Sequence, residues 1–102
     1  MTIRVIVIDD HPLMLDAIVN SLTKHSDMDV VATATDGLAL LPLVRQHLPD
    51  IVFMDLSMPD FDPVAAVKII RREQPAVRCV ALTADNNPYY IHAMVDAGAW
   101  GY

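Results

Sequence analysis

Short runs of β-branched and apolar residues alternate along this chain with longer stretches in which apolar residues recur every three or four positions. The runs are "TIRVIVI" (2–8), "MDVVATA" (28–34), "DIVFM" (50–54) and "VRCVALT" (77–83). Most of them are nearly continuous in apolar character rather than alternating, the pattern of strands covered on both faces, which predicts a parallel sheet. Between them, Pro12 opens a helical stretch whose stripe is Met14, Leu15, Ile18, Val19 and Leu22. A second stripe, Leu40, Leu41, Val44 and Leu48, follows the turn signal Asp36-Gly37. Its interior Pro42 removes a hydrogen bond at a cost of about 3 kcal/mol, so this helix is predicted to begin near Leu41 or to kink there. The third stripe, Val64, Val67 and Ile70, stands behind Asp62 as cap and Pro63 at the first position. The last, Tyr90, Ile91, Met94 and Ala97, follows Asn87-Pro88 and stops at Gly98. Strand-helix alternation with short connections and right-handed crossovers gives a doubly wound α/β sheet, whose ligand site lies outside the carboxyl ends of the strands.

The composition narrows this picture without changing it. A chain of 102 residues, 54% hydrophobic and 20% charged, fits one globular domain spanning 1–102. No segment approaches the ~18 uninterrupted apolar residues of a membrane span. The opening "MTIRVIVIDD" carries one basic residue and then an acid pair, unlike a secretory signal, so a cytoplasmic location is expected. A net charge of −6 argues against direct binding of nucleic acid, because neutralising phosphates takes clustered Lys and Arg. Cys79, alone of its kind, excludes an internal disulfide and reads as a small core residue.

The strand ends carry the chemistry. The first run closes on Asp9-Asp10, the third on Asp55 and the fourth on Thr83, so these polar groups fall along one edge of the sheet. Carboxylates brought together repel, and a hard divalent cation resolves the repulsion. Few fixed ligands, with room for water and a phosphate oxygen, suit Mg2+ better than Ca2+. Asp55 could then act as an anionic nucleophile, with the Thr83 hydroxyl placed to bond a phosphoryl oxygen. Each feature has a plainer reading: Asp9-Asp10 as helix caps, Asp55 as the start of the turn "DLSMPD", Thr83 as an ordinary strand end. Their coincidence at a single sheet edge favours the functional one. The histidines at 11, 25, 47 and 92 show no metal-ligand spacing and read as surface or packing residues.

Together, "VIVIDDHPLM", "VFMDLSMPDFD", "CVALTA" and "AGAWGY" resemble the receiver domain of two-component response regulators, and "DDHPLM" resembles its NarL/FixJ-type subfamily. The resemblance implies a flavodoxin-like (β/α)5 fold with strand order 2-1-3-4-5. It implies a phosphoacceptor at Asp55 and Mg2+ held by Asp9, Asp10, Asp55 and the backbone carbonyl of Ser57. Thr83 and Tyr102 would form the switch that relays phosphorylation. It further implies a sensor histidine kinase as donor and, in the subfamily, control of transcription through a separate DNA-binding output domain. The protein would catalyse only its own phosphorylation and dephosphorylation.

Departures from the family pattern are equally specific. The family's lysine would fall just beyond Tyr102, and neither Lys24 nor Lys68, both within helical stripes, can be carried into its role. The chain is therefore expected to be a receiver incomplete at its C-terminus, ending at the start of the fifth strand and lacking the last helix. Sheet surface left uncovered in this way predicts a homodimer or an oligomer that exchanges elements between copies. After Asp60, where the family usually has a glycine, this chain reads "DFDPV". Among rivals, a phosphatase of the haloacid-dehalogenase type needs a second acid two residues after its nucleophile, and that position is Ser57. A flavodoxin-like cofactor module needs a phosphate-cradling loop where this chain is acidic. A pseudo-receiver that no longer accepts phosphate would explain the absent lysine but not the acid trio.

Overall fold

The computed structural model describes residues 2–82 together with Val95, Asp96 and Gly98. In chain order these residues form β1 (Ile3–Ile8), α1 (Pro12–Thr23), β2 (Met28–Ala34), a 3-10 turn (Gly37–Ala39), α2 (Leu40–His47), β3 (Ile51–Asp55), α3 (Pro63–Glu73) and β4 (Arg78–Leu82). The strands pair in parallel in the order β2-β1-β3-β4, the flavodoxin-like arrangement expected. The fifth strand, most of the fourth helix, Thr83 and Tyr102 lie outside the described residues.

Both faces of β1 are buried, and its alternation divides the core. Ile6 and Ile8 join Val52, Met54, Cys79 and Ala81 beneath Leu40 and Val44 of α2 and Ala66, Val67 and Ile70 of α3. Val5 and Val7 point the other way, against Leu15 of α1. Removing each such Ile or Val side chain from water contributes roughly 1.5–3 kcal/mol, which makes β1 the central strand energetically as well as topologically.

The helices begin where their local chemistry dictates. Asp62 accepts a hydrogen bond from the Ala65 amide at 3.1 Å, and Pro63 follows it at the first helical position. Asp36 caps the 3-10 turn through the Leu38 amide at 2.9 Å, and α2 then starts at Leu40. This start places Pro42 in the first turn, where a missing N–H leaves no bond unmade. The helix shortens instead of kinking. Two stripe residues fall off the core: Met14 is exposed at the start of α1, and Leu48 is exposed beyond the end of α2. Leu48 precedes Pro49, which disfavours the right-handed helical region, and it takes a left-handed conformation with φ 48°.

Phe61 lays its ring on Gly37. A Cβ at residue 37 would lie 2.4 Å from the Phe61 ring, so this turn needs glycine for space. We expect Gly37→Val to destabilise the fold by about 1–3 kcal/mol, measured by urea unfolding, with much of the loss recovered in Gly37→Val/Phe61→Ala. Burial pushes the Cys79 thiol up to about 11. Since the unfolded thiol ionises first, stability from this group falls as pH rises through 9 toward 11. Alkylation of Cys79 by iodoacetamide at pH near 8 should accordingly proceed only at the rate of unfolding.

Candidate functional site

The register of β1 against β3 builds the site. Ile8 pairs with Met54, so the next residue on each strand, Asp9 and Asp55, stands beside the other at the carboxyl edge. β2 lies on one side of β1 and β3 on the other, and α/β sheets bind ligands where strand order reverses in this way. Asp9 and Asp55 are the buried charged residues among those described, at 4% and 7% exposure.

Each acid is held differently. Asp55 Oδ1 accepts hydrogen bonds from the Ser57 amide at 3.1 Å and the Ser57 hydroxyl at 3.0 Å. Its Oδ2 lies 3.7 Å from His11 Nδ1. Asp9 Oδ1 accepts from the His11 amide at 2.9 Å. Asp10 is half-buried, and its Oδ1 is shut off from solvent without an aligned donor, although His11 Nδ1 lies 2.9 Å away. His11, not Asp9 or Asp10, is the N-cap residue of α1, and its side chain makes no capping bond, whereas Asp9 accepts the amide of His11 itself.

His11 is the residue that sequence spacing missed. Its Nδ1 sits 3.2 Å from Asp9 Oδ1, 2.9 Å from Asp10 Oδ1 and 3.7 Å from Asp55 Oδ2. The signal was adjacency: in "DDHP" the proline restricts His11 to extended backbone, and the side chain then turns back over the two acids. The hydrogen bond to Asp9 and the charge of Asp10 raise its pKa above the ordinary 6.5, against a smaller opposing effect of desolvation. Of the other histidines described, His25 is exposed and His47 half-buried, and neither belongs to such a cluster. Lys24 caps the far end of α1 and Lys68 lies on the exposed side of α3.

The four side chains Asp9, Asp10, His11 and Asp55 each offer a ligand atom, and these atoms all lie within 4.8 Å of one another. Three carboxylates, one of them with an orphaned, solvent-shielded oxygen, are a donor set that suits a hard divalent cation. The geometry therefore fits such an ion.

A family model for the response regulator receiver domain matches residues 5–102. The chain belongs to the response regulator receiver family. Within it, this receiver domain is 38% identical over 100 residues to the transcriptional regulatory protein MctR of Rhizobium johnstonii, covering 98% of this chain and 47% of MctR. It is 33% identical over 100 residues to the probable transcriptional regulatory protein NarL of Mycobacterium tuberculosis, covering 98% of this chain and 46% of NarL. The solved signal receiver domain of that NarL superposes with a TM-score of 0.92 at 33% identity, covering 98% of this chain and 81% of that one. The isolated receiver domain of RcsB from Salmonella enterica serovar Typhimurium, solved in the presence of the phosphomimetic BeF3-, superposes at 0.86 with 30% identity, covering 97% and 74%. The receiver domain thus sits among NarL/LuxR-type response regulators, which serve phosphorylation-dependent signalling, and it spans about half the length of the curated relatives it matches. Among the described residues no helix is long and apolar enough to cross a membrane.

Acids this close cost stability when nothing neutralises them. We expect Asp10→Asn to stabilise the receiver domain by roughly 1 kcal/mol in a chelator-containing buffer, seen as a higher urea midpoint with unchanged slope.

Proposed function

We propose that this receiver domain is the phosphoacceptor switch of a two-component relay, with Asp55 as the acceptor. What supports this most is the pairing of two buried carboxylates at the β1/β3 edge, one of them fixed by Ser57. An aspartate used only as a turn residue has no need to be desolvated beside another acid.

In the proposed reaction, Asp55 attacks the phosphorus of a phosphohistidine on a sensor histidine kinase, or of a small acyl phosphate. A new carboxylate O–P bond forms as the P–N bond, or the donor's P–O bond, breaks. The electron pair leaves with the imidazole or the acyl carboxylate. Such transfer depends on positioning and charge compensation more than on covalent help. Ser57 contributes the first: two hydrogen bonds to Oδ1 hold the carboxylate and leave Oδ2 for the attack. Asp9, Asp10, Asp55 and the Ser57 carbonyl would hold Mg2+. The bound ion would neutralise the acids and screen the incoming phosphoryl group.

Downstream, we assign Thr83 and Tyr102 the switch role that the family resemblance gives them. Phosphorylation adds negative charge and acceptor oxygens that a threonine hydroxyl can follow. The output we assign is transcriptional, in keeping with the names of the transcriptional regulatory proteins MctR and NarL, through a separate DNA-binding domain, with the cytoplasm as the site of action.

The test is incorporation of phosphate from a small acyl phosphate, read by mass spectrometry. Labelling should require Mg2+, vanish with chelator and be lost in Asp55→Ala. Equal labelling of Asp55→Ala would overturn the assignment.

A further inference from the structure

No further inference is drawn: the strongest candidate, the open cavity of about 500 Å3 between the end of α3 and the start of β4, lined by Val67, Arg71, Val77, Arg78, Cys79 and Gly98, lies at the edge of the described residues, and nothing in the structure shows what covers it.

Discussion

Two like-charged carboxylates, Asp9 and Asp55, are fixed side by side almost out of contact with water, and most of the architecture described here serves to hold them there. Apolar burial cannot compensate such a pair directly; it can only make separating them more costly. It does so through β1, whose alternating side chains lock into separate cores on the two faces. A slip of one residue against β3 would exchange those faces and strand Ile and Val in the wrong layer. The register that satisfies the core is thus the one that aligns the acids. Hydrogen bonds from Ser57 and from the His11 amide then partly compensate the charges.

Much of this was legible in the chain. Continuous apolar runs announced strands covered on both sides, and they appear in parallel within a residue or so of their expected bounds. Asp62-Pro63 marked the start of α3 because cap and proline act locally. Where two local rules competed, the sequence left two outcomes open. Pro42 suggested a helix beginning near Leu41 or kinked, and the late start is the one found, with a separate 3-10 turn before a helix from Leu40. Met14 and Leu48 matched helical spacing, but a stripe says nothing of whether the facing sheet reaches that far.

The site divides in the same way. Asp9, Asp10 and Asp55 could be placed at one edge because strand ends and topology suffice to locate them. His11 could not, because spacing rules describe ligands on one element, whereas this ring meets acids from two. What brings it in is a backbone bend between strand and helix, set by a proline and an amide hydrogen bond. Charge then orients a ring that packing leaves free.

Asp9 and Asp55 are 55 − 9 = 46 residues apart in the chain, and they meet only through pairing of β1 with β3. Closing so long a loop takes entropy that nearby contacts do not, so this edge belongs to the later-formed parts of the fold. β1, α1 and β2 can associate as soon as they are synthesised, but at that stage the acid pair has no partner across the strand. The three acids come together only once β3 has been made and has paired with β1.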